Sequence, residues 1–175
     1  QDAGTVEVSV PDSYLGNTVE LVSFIESSTL EPQPQTDYTA IKKTSTRYIK
    51  YGLVRPYIEN IVNSTALVNE REIGYDIYPM RDTDNINYNV YDVGNEYDFH
   101  VDVVHYPYID RKLTVTINLT NDYVGGEFII QDGKEYVLKD YKVLMFKSAL
   151  RHKVAPVRQG VRKSLTFWFE GPNWR

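Results

Sequence analysis

The hydrophobic pattern of this chain changes period along its length. Val6, Val8 and Val10 alternate with polar residues, which predicts a strand in an otherwise extended lead-in over residues 1–16. Asn17, Thr18, Val19 and Glu20 then read as a capping box, and Leu21, Val22, Phe24 and Ile25 follow at helical spacing, so a helix is expected over about 18–28. Residues 29–46 carry Pro32, Pro34 and many hydroxyl side chains and are expected to be mostly loop. A second helix is expected over about 54–64, with Pro56 near its first turn and Tyr57, Ile58, Ile61 and Val62 on one side. From about residue 74 the period becomes two. Strands are expected at 75–79, 86–93, 97–104, 112–119, 126–130, 135–138, 142–147, 151–157 and 162–169. Turn residues separate them: Asn95, Asn121 with Asp122, Gly125 with Gly126, Asp132 with Gly133, and Gln159 with Gly160.

Many short strands joined by such turns predict a sandwich or barrel. The helices are expected to pack outside the sheet and support it. At 175 residues the chain has the size of one domain, with helical support over about 1–70 and a strand-rich core over about 75–170. Hydrophobic content of 42% and a charged fraction of 25% are ordinary for a globular protein. The net charge of −5 argues against a general nucleic-acid binder. Without cysteine there is no disulfide framework, and no apolar run is long enough to span a membrane. The opening residues Gln1 to Gly4 are not a signal peptide. These features describe a cytoplasmic protein of bacterial or viral type. Oligomeric state is not readable. The fifteen tyrosines fit β-sheet packing.

The chemistry gathers between residues 100 and 164. On a strand His100 and Asp102 share a face, offering an imidazole nitrogen and a carboxylate oxygen. His152 is the natural third ligand. Two histidines and one carboxylate on one side of a metal leave other positions open, the arrangement of non-haem Fe(II) oxygenases. Ten residues later comes Arg162, and a buried arginine holds a carboxylate bidentately. Along the last strand Arg162, Ser164, Thr166 and Trp168 would face one way, and Lys163, Leu165, Phe167 and Phe169 the other. The first set fits the lining of a polar cavity with Trp168 as its floor.

His100 with Asp102, the distal His152, and Arg162 with Ser164 resemble the Fe(II)/2-oxoglutarate-dependent dioxygenases, and most closely their prolyl 4-hydroxylase branch. Tyr91, Gly94 and Tyr97 precede His100 at the branch's spacing. Arg111 to Thr114 opens the next strand, Gly125 and Gly126 resemble its Gly-Gly turn, and Pro156 and Val157 follow the distal histidine as they do there. The resemblance runs over about residues 85–170. It implies a double-stranded β-helix, that is, a jelly-roll or cupin-like fold, mainly β with supporting helices. It implies Fe(II) on His100, Asp102 and His152, and 2-oxoglutarate held by Arg162, with Tyr91, Thr166 and Trp168 beside it. It implies dioxygen as co-reactant, with ascorbate as a supporting reductant. Members of the branch often carry a tyrosine where this chain has Asn118, so Thr116, Asn118 or Ser164 would supply the second partner of the distal carboxylate. The implied reaction is hydroxylation of a prolyl residue in a peptide or protein. The alternatives are the same chemistry on a free amino acid, another side chain or a nucleobase, or a non-enzymatic metal-binding jelly roll. Nucleobase-repair members carry a second arginine six residues after the first, where this chain has Trp168. For substrate contact His105, Arg111 and Arg158 are candidates. Their plainer readings are a loop residue at the rim, a salt bridge at a strand start and a solvated turn charge.

Overall fold

The computed structural model describes residues 4–15, 18–27, 35–38, 41–103, 107–131, 135–136 and 142–174. Asn17, Pro32, Pro34, His105 and the expected turn at Asp132 and Gly133 lie outside that set. In chain order the elements are β1 (Thr5–Val8), α1 (Asp12–Leu15), α2 (Thr18–Ser27), β2 (Gln35–Tyr38), β3 (Lys42–Lys50) and α3 (Tyr51–Val68). They continue with β4 (Asn85–Tyr91), β5 (Glu96–His100), β6 (Ile109–Asn118), β7 (Val124–Gly125), β8 (Phe128–Ile130) and β9 (Glu135–Tyr136). The last are β10 (Val143–Lys147), β11 (His152–Val154), β12 (Val157–Gln159) and β13 (Arg162–Pro172).

The strands hydrogen-bond in the order β1-β10-β6-β13-β4-β3-β5-β11-β8-β9, with β2 added to β3 and β12 paired separately with β7. The sheet curls at β3: its Ser45–Lys50 half pairs with β4, while Lys42 and Lys43 pair with β5. The result is a double-stranded β-helix. One face of the larger sheet presents Ile86 and Tyr88 from β4, Leu113, Val115 and Ile117 from β6, and Leu165, Phe167 and Phe169 from β13. This face packs against Leu21 and Ile25 of α2 and Val54, Ile58, Ile61 and Val62 of α3. A second cluster, including Tyr91, Phe128, Leu144, Phe146 and Val154, fills part of the roll's interior.

Phe167 is fully buried and stands edge-on to Phe169, with ring centroids 5.8 Å apart. Phe167→Ala is therefore expected to lower stability by about 3–5 kcal/mol. Chemical denaturation checks this; a loss under about 1 kcal/mol would mean the helix–sheet interface is not the main core.

Several expectations fail. The segment expected to be loop contains β2 and nine-residue β3. On β3 the buried alternating positions are Thr44 and Thr46 rather than aliphatics, and Arg47 is buried with its guanidinium donating to the Ile25 carbonyl. Threonine is a good strand former, but it leaves no apolar stripe to read. Residues 75–79 are extended but join no ladder. Tyr78 N donates once to Glu170 O at 2.7 Å, and the segment runs tight against the end of β13. A Cβ at Gly171 would stand 2.1 Å from Asp76 O, so that approach requires glycine. The second helix also begins earlier than expected, because its first amides find partners outside the helix: Tyr51 N donates to Asp84 O and Gly52 N to Asp82 O, at 2.8 and 3.0 Å.

Candidate metal centre and adjoining cavity

Antiparallel pairing of β5 with β11 sets His100 directly opposite His152. Asp102 lies just past the end of β5, where its N–H donates to Ser148 O at 2.9 Å. Ligand atoms of His100, Asp102 and His152 all lie within 4.8 Å of one another. The two histidines reach different carboxylate oxygens: Nε2 of His100 is 3.4 Å from Oδ1, and Nε2 of His152 is 3.4 Å from Oδ2. The far side of each ring is tied to backbone. His100 Nδ1 is 2.7 Å from Asp98 O, and His152 Nδ1 is 2.9 Å from Leu150 O. Each carbonyl calls for a proton on Nδ1, which leaves the Nε2 lone pair aimed at the centre. Aromatic rings hold the imidazoles in place: Tyr97 stacks on His100 at 3.5 Å, and the edge of Phe146 meets His152 at 4.6 Å. The residues present fit a divalent metal with facial two-histidine, one-carboxylate ligation.

Burial alone would push the Asp102 carboxyl up, but in the acid form, with both imidazoles also protonated on Nε2, the hydrogen bond from His100, the charges of His152 and His100, and the Thr114 hydroxyl outweigh it and hold the group down at about 2. Burial pushes the His152 imidazole below its ordinary value, against the pull of Asp102, which favours the neutral ligating form. Two further donors fix the carboxylate: Thr114 Oγ1 at 3.0 Å and Trp168 Nε1 at 3.4 Å from Oδ2.

A cavity of about 550 Å³ opens on this centre. From β13 it is lined by Arg162, Ser164, Thr166, Trp168 and Glu170, from β4 by Asn85, Asn87, Asn89 and Tyr91, and from β6 by Arg111, Thr114 and Thr116. The polar face expected on the last strand is thus a cavity wall. Trp168, however, borders the metal ligands and is not the floor. The deep end is Arg162, which is 1% exposed. Its guanidinium carbon sits 5.3 Å from the Tyr91 ring centroid, and its buried Nε has no hydrogen-bond partner. Among the described residues no carboxylate pairs with it. An uncompensated buried cation facing a cavity fits an anionic ligand end.

Asn118 does not line the cavity. Its amide donates to Thr120 O and accepts from Tyr123 OH at 3.3 Å, and Tyr123 in turn hydrogen-bonds Arg162. Tyr123 is the residue that reading the sequence missed; it comes from the loop after β6, outside any periodic stretch. Gly126 backs the same arginine, since a Cβ there would stand 3.0 Å from Arg162 Cδ. Arg111 lies over the Trp168 ring at 3.9 Å and donates to the Asp102 carbonyl at 3.3 Å. Arg158 is an exposed partner of Glu127 at 3.9 Å, away from the cavity.

Residues 86–170 match the family model of the 2OG-Fe(II) oxygenase superfamily. This jelly-roll segment belongs to that superfamily. Among curated relatives of the oxygenase segment, a PKHD-type hydroxylase of Synechococcus elongatus is 31% identical over 115 residues, covering 61% of this chain and 51% of that protein. A PKHD-type hydroxylase of Gloeothece citriformis is 30% identical over 129 residues, covering 70% and 58%. The chain spans about half the length of the curated relatives it matches, 51% for the Synechococcus elongatus protein. In fold it is similar to a Pseudomonas putida prolyl-4-hydroxylase, with a TM-score of 0.72 and 16% identity over 97% of this chain and 92% of that one. It is also similar to a Trichoplax adhaerens prolyl hydroxylase solved with a hypoxia inducible factor peptide fragment, with a TM-score of 0.71 and 17% identity over 94% and 81%. Among the described residues, no helix is long and apolar enough to cross a membrane.

Proposed function

We propose that this protein is an Fe(II)- and 2-oxoglutarate-dependent dioxygenase that hydroxylates prolyl residues in a peptide or protein. The observation that carries this reading is one cavity with a facial ligand set at its side and, at its deep end, a buried arginine that no carboxylate pairs among the described residues. That pair of features suits a small dicarboxylate chelating a metal at one end and ion-paired at the other. The prolyl substrate draws support from the hydroxylases to which the chain is similar in sequence and fold.

His100, Asp102 and His152 would hold the metal, their outer atoms already fixed by Asp98 O, Leu150 O, Thr114 and Trp168. Arg162 would take the distal carboxylate of 2-oxoglutarate, kept in place by Tyr123 and the Tyr91 ring. Thr166, Thr116 and Asn89 form a hydrogen-bonded wall between the two ends, with Asn89 Nδ2 to Thr166 Oγ1 at 3.4 Å and Thr166 Oγ1 to Thr116 Oγ1 at 3.5 Å. Ser164 lines the same stretch. Bound together, the metal and cosubstrate supply oxidative decarboxylation by dioxygen, giving succinate, carbon dioxide and one oxygen atom for a substrate C–H bond. The chain's part is to place these groups at the inner end of the cavity. Tyr123→Phe loosens Arg162, so KM for 2-oxoglutarate is expected to rise about threefold to tenfold at nearly unchanged kcat. Steady-state kinetics at varied 2-oxoglutarate test this, and an unchanged KM would remove Tyr123 from the account.

A further inference from the structure

On β4 the residues facing the cavity are Asn85, Asn87, Asn89 and Tyr91. The deepest asparagine is satisfied internally, since Asn89 Oδ1 accepts from Thr46 Oγ1 at 3.0 Å and its Nδ2 donates to Thr166. The next one out is different. Asn87 Oδ1 is buried with no hydrogen-bond partner, on a residue that is half-buried as a whole. Asn85 is exposed at the mouth. A buried carbonyl oxygen left unpaired disfavours the free protein, so its place in a cavity wall calls for a ligand N–H that donates to it.

We propose that Asn87 is a substrate-positioning residue that hydrogen-bonds the main chain of an extended peptide, with Asn85 continuing the contact toward the mouth. The inference rests on the dioxygenase reading above. A peptide unit presents one N–H and one C=O, the complement of a side-chain amide. Alternate residues of β4 repeat at about 6.7 Å, the same two-residue repeat as an extended chain, so successive asparagines meet successive equivalent amides. The surroundings favour a chain over a free amino acid. The carboxylates at the mouth are already engaged by Arg81, which lies 2.9 Å from Asp84 Oδ1 and 3.6 Å from Glu170 Oε2. Beyond the mouth a groove of about 200 Å³, walled by Tyr78, Pro79, Met80 and Ile109, shares Asp84, Trp168 and Glu170 with the cavity and gives a longer ligand a way out.

The test uses the full chain with Fe(II) and 2-oxoglutarate. A proline-containing peptide that stimulates succinate formation is compared with analogues N-methylated at each non-proline amide in turn, on the wild type and on Asn87→Leu. The wild type is expected to lose about tenfold in peptide kcat/KM for one analogue, and Asn87→Leu to treat that analogue and its parent alike. Mn(II) titration of the metal-free variant shows that its site is folded. Should Leu disturb the wall, Asn87→Asp, which accepts but does not donate, must still discriminate the N-methyl analogue. A wild type indifferent to every N-methyl group, or a leucine variant as discriminating as the wild type, overturns the proposal. A shift in KM for 2-oxoglutarate without a shift for peptide also overturns it, by assigning Asn87 to the cosubstrate. A wild type that forms no succinate with any peptide fails at the dioxygenase reading instead.

Discussion

Asp102→Asn is expected to weaken metal binding by more than about 100-fold and to reduce turnover to background, because loss of an outer partner of a metal ligand already costs 10–100-fold and this change removes a ligand's charge. The substitution keeps the shape of the side chain and its bond to Thr114 Oγ1, so the jelly roll should survive it. The centre loses its one negative charge, which lies 3.4 Å from each Nε2. Isothermal titration of the metal-free protein with Mn(II), beside circular dichroism, separates the two effects. Wild-type affinity in the variant would show that the three side chains are a hydrogen-bonded cluster and not a metal centre.

Arg162→Met is expected to raise KM for 2-oxoglutarate by about 30-fold to several thousand-fold, from the 2–5 kcal/mol typical of breaking a buried charge pair at one partner. Methionine keeps much of the length and packing against Tyr91 and Gly126 while removing the charge. The accompanying stability change is diagnostic. In the free protein Arg162 is buried without a carboxylate partner among the described residues, so the neutral variant should be no less stable than the wild type, and more stable if the desolvated charge is the dominant cost. Urea denaturation of the metal-free proteins measures that change, and steady-state kinetics measure the KM. A strongly destabilised variant with unchanged KM would make Arg162 a structural cation.

Legibility followed physical periodicity. On β13 the two faces separated cleanly, because Leu165, Phe167 and Phe169 are a strong apolar signal in a period of two and Arg162, Ser164 and Thr166 contrast with them. The grouping of His100 and Asp102 was readable from spacing. His152 was the natural third ligand by residue type, and the resemblance strengthened it; the register of β5 on β11 that sets it opposite His100 is a long-range property. β3 was lost because it alternates threonines, whereas residues 75–79 were expected as a strand from their alternation but make one backbone bond to β13, from Tyr78 N to Glu170 O, and no ladder. Tyr123 was invisible for a related reason, because only the curl of the sheet brings a loop tyrosine against Arg162 and Asn118. Asn118 was placed on the right strand, but its amide is spent on Thr120 and Tyr123.

The central claim is tested most directly by succinate formation from 2-oxoglutarate with Fe(II) and ascorbate, with and without a panel of proline-containing peptides. The account predicts iron-dependent succinate, stimulated by at least one peptide that gains the mass of one oxygen atom on a prolyl residue. Iron shown to be bound, with no succinate formed under any condition, would contradict it and leave a jelly roll that holds a metal without turning over 2-oxoglutarate.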